Sequence, residues 1–198
     1  MSRSVLYITA AAAALSLAAC NKPATPPSAV TPAEQAATPD AHPAATIPTP
    51  SNEAAAPDFV AKAAASDMFE VQAAKIALDR SHNADVKAFA HMMTTAHTAT
   101  TKQLKAAIAA SGAAITPPMA LPSDLQDKIN DLLKASAADF DKMYISQQVD
   151  AHQAALDLMQ RYAKDGDVAQ IKAFAAATAP AVQEHLTKAK AIKDAMKG

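Results

Sequence analysis

The feature that most limits the fold of this chain is a set of four long segments in which apolar side chains recur every three or four residues. That spacing is the period of an amphipathic α-helix, and it predicts long helices over residues 58–80, 84–110, 137–164 and 168–196. A shorter helix is predicted over residues 123–134. The same region lacks alternating β-branched runs and is rich in the helix formers Ala, Leu, Lys and Gln. The sequence therefore predicts an all-α domain over residues 58–198.

The breaks between these segments predict how the helices connect. Residues 81–83 and 165–167 form short breaks, and Asn83 is a residue type that caps helix N-termini. Residues 111–136 form one long connection, which contains the short extra helix. Helices of similar length joined by two tight turns and one long connection predict a four-helix bundle.

The N-terminus has the features of a secretion signal. In MSRSVLYITAAAAALSLAAC, basic Arg3 precedes an apolar run that is shorter than the roughly 20 residues a membrane-spanning helix needs. The residues that end with Ala18, Ala19 and Cys20 resemble the lipobox of bacterial lipoproteins. This resemblance implies a signal peptide over residues 1–19 and lipidation of Cys20, while an ordinary secretory signal with a chance Cys is the alternative. Because Asn21 rather than Asp follows, the resemblance implies the outer membrane, facing the periplasm.

Residues 20–57 have a different composition. Residues 22–57 hold nine of the thirteen prolines and almost no large apolar side chains. Such a segment buries too little apolar surface to offset the entropy lost on ordering, so we expect a disordered Pro/Ala-rich tether. The tether would place the helical domain at a distance from its lipid anchor.

Charge and motifs exclude several classes of function. The formal net charge is -1, and the chain has no strip of interleaved basic and aromatic residues and no glycine-rich phosphate loop. We therefore expect no nucleic-acid partner, and the membrane, through the lipid anchor, is the partner that the sequence indicates. Nothing in the sequence identifies a protein partner.

Three histidines fall in step with the apolar residues of three different helices. They are His97, His152 and His185, and Glu70 occupies a comparable position in the first helix. All four lie near the middle of helices roughly 40 Å long. If the long connection crosses the bundle, the Glu70/His97 pair and the His152/His185 pair lie at nearly the same height. If it does not cross, the two pairs differ in height by about one helical turn.

Three imidazoles and a carboxylate in a bundle core suit one divalent metal ion such as Zn, Cu, Fe or Mn. Asp67, one turn before Glu70, is a candidate extra ligand or a partner that orients a ligand. A structural layer of hydrogen-bonded core residues is the alternative interpretation, and partly exposed side chains are a third. His91 is six residues from His97 and so faces elsewhere, while His82 lies in a turn and His42 in the tether.

Four stretches carry a resemblance to a known family: DFVAKAAASDMFEVQAAKIALD, VKAFAHMMTTAHTATTKQL, FDKMYISQQVDAHQAALDLM and IKAFAAATAPAVQEHL. They resemble the bacterial family called domain of unknown function 4142, whose members look like ferritin-like four-helix proteins with secretion or lipoprotein signals. The positions that the family pattern marks match Glu70, His97, His152 and His185. The family usually has Asp directly before the first of these histidines. This chain has Ala96 there, so we expect a weaker acid–histidine pair.

The resemblance does not imply a di-iron enzyme, because the Glu-x-x-His pairs of ferritin-like di-iron proteins are absent. The residues three before the histidines are Thr94, Val149 and Val182. The sequence thus predicts a cell-envelope lipoprotein whose four-helix domain binds a divalent metal ion. The alternatives are an envelope interaction or stress-response module with a structural polar core, and a metal-dependent enzyme that acts on reactive oxygen species. No feature names a substrate, so enzyme activity is neither predicted nor excluded.

Overall fold

The computed structural model describes residues 54–197, which form five helices and, within that range, no strand. The helices are α1 (Ala56–Arg80), α2 (Ala84–Ser111), α3 (Ser123–Lys134), α4 (Phe140–Asp165) and α5 (Ala169–Ala195). The predicted all-α bundle with a short extra helix is therefore confirmed. The predicted signal peptide, Cys20 and the tether up to residue 53 lie outside the described residues. No helix of the described part is long and apolar enough to cross a membrane.

Three helices begin at residues other than those predicted. α5 begins at Ala169, one residue late, and local hydrogen bonds explain the larger differences at α1 and α4. α1 begins at Ala56, two residues early, where the Ala56 N–H donates to the Asp167 carboxylate at 2.9 Å. α4 begins at Phe140 rather than at residue 137. The Ser136 hydroxyl donates to the Asp139 carboxylate at 2.6 Å, and the Asp139 N–H donates to the Ser136 carbonyl at 3.2 Å. These bonds form a tight turn before the helix.

The caps of α2 form as the sequence predicted. The Asn83 side-chain oxygen accepts hydrogen bonds from the N–H groups of Asp85 and Val86, at 2.9 and 3.2 Å. At the other end Gly112 has φ 68°, a left-handed conformation that glycine adopts without steric penalty.

The long connection crosses the bundle. One apolar cluster joins the end of α1, the start of α2, α3, the start of α4 and the end of α5; we call this the upper end. A second cluster joins the start of α1, the end of α2, the end of α4 and the start of α5, which is the lower end. The α1–α2 turn is thus at the upper end and the α4–α5 turn at the lower end. Each long helix is antiparallel to both of its neighbours.

Arg80 attaches α3 to the end of α1. Its guanidinium donates hydrogen bonds to the carbonyl oxygens of Leu132, Leu133 and Ala135 at the C-terminus of α3. The guanidinium carbon also lies 4.7 Å from the ring centroid of Phe140. A cation at a helix C-terminus satisfies free carbonyls and interacts favourably with the helix dipole. Arg80 therefore fixes the crossing connection to the upper end of the bundle.

Candidate metal centre

Three long helices each place one histidine in the middle of the bundle. His97 in α2, His152 in α4 and His185 in α5 are at most 8% exposed. Their ring centroids are 5.5 Å apart for His97 and His152, 5.7 Å for His97 and His185, and 5.5 Å for His152 and His185. One ring nitrogen from each histidine lies within 4.8 Å of the others. The structure thus brings together the three histidines that the sequence singled out.

The helical period explains why these side chains meet. His97 lies between two buried core residues of α2, Met93 toward the upper cluster and Leu104 toward the lower. His152 and His185 likewise separate residues of the two apolar clusters, and a third cluster of Ala155, Leu156, Val182 and Leu186 flanks them. The histidines therefore form a polar layer with apolar residues above and below.

Within residues 54–197, each of the three histidines has a buried ring nitrogen without a hydrogen-bond partner. These atoms are His97 Nε2, His152 Nε2 and His185 Nδ1. Most buried side-chain polar atoms in folded proteins have a partner, either in the protein or in bound water. The three unpaired nitrogens are therefore donors of the kind that a transition metal accepts through a nitrogen lone pair.

The other nitrogens of two histidines are held by the protein. His97 Nδ1 donates to Asp67 Oδ1 at 2.8 Å, and Asp67 Oδ2 accepts a 3.0 Å hydrogen bond from the Thr101 hydroxyl. His152 Nδ1 donates to the backbone carbonyl of Gln148 at 2.9 Å. A proton held on Nδ1 by an acceptor leaves Nε2 of the neutral ring with its lone pair free. Both hydrogen bonds thus prepare His97 and His152 as ligands through Nε2.

Glu70 is buried beside the histidines but outside the set of mutually close ligand atoms. Its Oε1 lies 3.8 Å from His152 Nδ1, the nitrogen that already bonds Gln148. Neither carboxylate oxygen has a hydrogen-bond partner, although the Gln148 amide lies near enough to lower the pKa somewhat. Burial outweighs that effect and the attraction of His97, and it raises the pKa of Glu70 to about 7. A metal-ligand role for Glu70 stays a prediction.

Burial and mutual repulsion keep two of the histidines neutral. Burial, with the charge of His97, lowers the pKa of His152 to about 3 and that of His185 to about 4. For His97, burial acts to lower the pKa, but the Asp67 hydrogen bond and the Glu70 charge overcome it and the pKa is raised. A proton in the metal-free layer is therefore held by His97, the histidine that has a carboxylate partner, and a metal ion that binds His97 Nε2 would displace it.

The three ring nitrogens lie somewhat farther apart than they would when bound to one metal ion. A Zn–N bond of 2.0 to 2.1 Å in tetrahedral geometry separates two ligand nitrogens by about 3.4 Å. The nitrogens here lie within 4.8 Å of one another. A bound ion would therefore require the nitrogens to approach one another by at most about 1.4 Å.

The remaining histidines of the described part lie on the surface. His82 and His91 are exposed, as predicted, and His42 lies outside the described residues. Glu184, next to His185 in sequence, points outward and forms an ion pair with Lys188 at 2.8 Å.

Comparison with known proteins places the chain in a family. The family model described as "domain of unknown function (DUF4142)" matches residues 38–192. The chain belongs to the DUF4142 family. No curated protein and no solved structure matches it. The ferritin-like classification of this DUF4142 domain therefore stays a prediction, although its crossing connection is of the kind that ferritin-like folds have.

His97 forms an acid–histidine pair although the residue directly before it is Ala96 and not an acid. We expected a weaker pair at His97, because Ala96 stands where an acid usually precedes this histidine. Asp67 of α1 supplies the carboxylate instead, at 2.8 Å from His97 Nδ1. The acid of this pair thus comes from the neighbouring helix and not from the adjacent residue, and the effect of Ala96 on the strength of the pair stays a prediction.

Sequence analysis missed two buried polar residues of α4, Tyr144 and Gln148. Hydropathy favours Val149 as the core residue at this level of the helix, but Val149 is only half-buried and Gln148 is fully buried. Gln148 and Tyr144 lie four and eight residues before His152, and this spacing places them on the same face of the helix as His152. That spacing is the sequence feature that could have identified them as core residues. The Tyr144 hydroxyl and the Gln148 amide atoms have no hydrogen-bond partner in the described part of the chain.

Proposed function

We propose that this DUF4142 domain binds one divalent metal ion through His97, His152 and His185. The observation that carries the proposal is the buried layer in which the three rings lie together, each with one ring nitrogen that has no hydrogen-bond partner among the described residues. A layer that served only to fix the helix register would be expected to satisfy these atoms within the protein.

The donor set limits the kind of ion. Three neutral imidazoles suit Zn, Cu, Fe or Mn better than Mg or Ca, which prefer oxygen ligands. Asp67 supplies a buried negative charge behind His97, and Glu70 a second one when it is ionised. These charges compensate the ion, because a buried charge is tolerated only when it is paired. Three protein ligands also leave a coordination position for water or another small ligand.

We further propose that the domain acts at the cell envelope, held to the outer membrane by lipid on Cys20. The lipobox-like residues before Cys20 and the Pro/Ala-rich segment that follows support this proposal. Substitution of Cys20 by Ser should prevent lipidation and release the protein from the membrane fraction. Normal processing and membrane association of Cys20→Ser would contradict the anchor.

Metal analysis of the purified protein tests the metal site. We expect about one equivalent of Zn or Cu to bind after the protein has been stripped with chelator and dialysed, with a raised melting temperature. His152→Ala should abolish stoichiometric binding, and His97→Ala and His185→Ala should do the same. His91→Ala removes an exposed histidine of the same helix as His97 and should bind metal like the parent.

The alternative, a structural polar layer, makes the opposite prediction. In that case no metal binds, chelator and Zn leave the melting temperature unchanged, and His152→Leu is tolerated or stabilising. A stoichiometry that falls equally in His91→Ala and His152→Ala would indicate adventitious binding and would also contradict the proposal.

A further inference from the structure

A groove that is separate from the histidine layer lies on the outside of the bundle, between α1 and α4. It has a volume of about 850 Å³, and the middle of the crossing connection, from Pro118 to Leu125, forms its third wall. Pockets that take small organic molecules have volumes of roughly 300 to 1,000 Å³ and mostly apolar walls. The groove therefore has the size and lining of a ligand site.

Small side chains create this space. Where α1 and α4 face the groove, alanines make up much of the wall: Ala61, Ala65, Ala151, Ala154 and Ala155. Because the side chains at these positions are only methyl groups, α1 and α4 can pack side by side while space remains between these helices and the crossing connection. A larger apolar side chain at an exposed position, such as Ala61 or Ala154, would reach into the groove.

The groove is polar at one end and apolar at the other. Lys62 of α1 and Arg161 of α4 line its lower end, with Asp157 one turn of α4 above Arg161. Both cations also interact with groups of the protein itself. The upper end is apolar.

Three side chains form the apolar upper end: Phe69, Leu121 and Leu125. Asp124 lies at the same end, in the first turn of α3. An elongated molecule with an anionic head would be attracted by the lower end and repelled at the upper end. The charges thus favour one orientation of such a molecule.

We propose that this groove binds a fatty acid, with the carboxylate between Lys62 and Arg161 and the acyl chain running toward Phe69. The helix rise gives a length of about 10 Å from Lys62 to Phe69 along α1 and about 15 Å from Arg161 to Ala151 along α4. An extended chain of about ten to twelve carbons has a similar length, given carbon–carbon bonds of about 1.5 Å. The proposal is independent of the metal site, which lies inside the bundle.

Calorimetric titration of the full chain with laurate, below its micelle concentration, tests the site. We expect saturable binding of laurate and at least about tenfold weaker binding of dodecyltrimethylammonium, which has the same chain with a cationic head. Ala61→Leu and Ala154→Leu should abolish laurate binding by filling the groove, and both should leave metal stoichiometry unchanged. Ala176→Leu, at an exposed alanine of α5 outside the groove, is the matched control and should bind laurate like the parent.

Four outcomes separate the parts of the proposal. Absence of laurate binding, or laurate binding that survives both Ala61→Leu and Ala154→Leu, overturns the site. Equal affinity for the anionic and the cationic amphiphile overturns the assignment of the head group. Lys62→Gln and Arg161→Gln, checked for an unchanged melting temperature, should each weaken laurate binding, and unaltered affinity in both would contradict the same assignment.

Discussion

The carboxylate of Asp67 accepts a 2.8 Å hydrogen bond from Nδ1 of His97, which lies thirty residues further along the chain. The bond joins α1 to α2 in the buried middle of the bundle and fixes which nitrogen of His97 carries the proton. Nε2 of the same ring is buried and has no hydrogen-bond partner among the described residues. A carboxylate behind a ligating histidine both orients the ring and increases its basicity.

Asp67→Asn should weaken metal binding while the three histidines stay in place. An amide can donate to Nδ1 and would then favour the tautomer with the proton on Nε2, the atom proposed to bind metal. We expect metal affinity to fall about 10- to 100-fold, as when such partners are removed elsewhere. Titration of metal against a competing chelator measures the change.

Asp79→Asn is the matched control for Asp67→Asn, because Asp79 is an exposed acid of the same helix. Thr101→Val removes only the hydroxyl that bonds Asp67 Oδ2 and should give a smaller loss than Asp67→Asn. Equal affinity in Asp67→Asn and Asp79→Asn would show that the pair does not prepare His97 as a ligand.

Glu70→Gln should stabilise the metal-free domain more at pH 8 than at pH 5. The pKa of Glu70 is about 7 in the folded protein because the carboxyl is buried, whereas its ordinary value is 4.5. Between these values the folded state binds more protons than the unfolded state, so Glu70 lowers stability as the pH rises. The neutral amide removes this dependence and should gain at most about 3 kcal/mol at pH 8.

Urea unfolding in the presence of chelator, at pH 5 and at pH 8, measures this difference. A Glu70→Gln variant that loses equal stability at both pH values would show that the carboxyl is stabilised by its surroundings. A metal-loaded sample compared at pH 8 then reports separately whether Glu70 contributes to metal affinity.

The metal-free domain should lose stability as the pH falls from about 6.5 toward 4. The pKa of His185 is about 4 and that of His152 about 3 in the folded protein, both lowered by burial first. The unfolded state therefore binds more protons in this range, so stability rises with pH and is lost on acidification. Glu70 has the opposite effect between pH 4.5 and about 7, but two histidines outweigh one carboxyl.

Urea midpoints at pH 6.5, 5.5 and 4.5 should therefore decrease in that order for the parent in chelator. His185→Gln should flatten this dependence, whereas His91→Gln, at an exposed position, should not change it. An equally steep dependence in the parent and in His185→Gln would mean that the imidazole is solvated when the protein is folded.

Arg80→Ala should loosen the crossing connection. The variant loses hydrogen bonds to three carbonyl oxygens at the end of α3 and the contact with the Phe140 ring. Hydrogen bonds to a charged group contribute about 1.5 to 3 kcal/mol each, although losses that share one side chain do not add, so we expect about 2 to 4 kcal/mol. Chemical unfolding gives the total, and hydrogen exchange should show the largest change in α3.

Arg80→Lys serves as the partial replacement, because it keeps the charge but not the planar group that reaches several carbonyls. It should recover less than half of the stability lost in Arg80→Ala. Full recovery would show that charge alone, and not the hydrogen-bond geometry, holds α3.

Much of the fold followed from local patterns, and the exceptions have local causes. Apolar spacing located the four long helices, and Asn83 caps α2 as expected. The start of α4 was misplaced because Ser136 and Asp139 bond each other and form a turn in residues that are otherwise good helix formers. The burial of Gln148 in place of Val149 could not be judged from hydropathy, which ranks the two residues in the opposite order.

The sequence by itself determined the helical class and placed three histidines on the core faces of their helices. The reason is that the buried face of a helix is marked by apolar residues that recur every three or four positions, a pattern that is local in sequence. Tertiary structure alone decided that the connection crosses the bundle and that the three rings meet. It also decided that the partner of His97 is Asp67, since helices far apart in sequence can pack in several registers with the same apolar stripes. The register of the helices decides which ring nitrogen of each histidine has a hydrogen-bond partner. The potential of the histidine layer to bind a metal ion therefore depends on the tertiary structure.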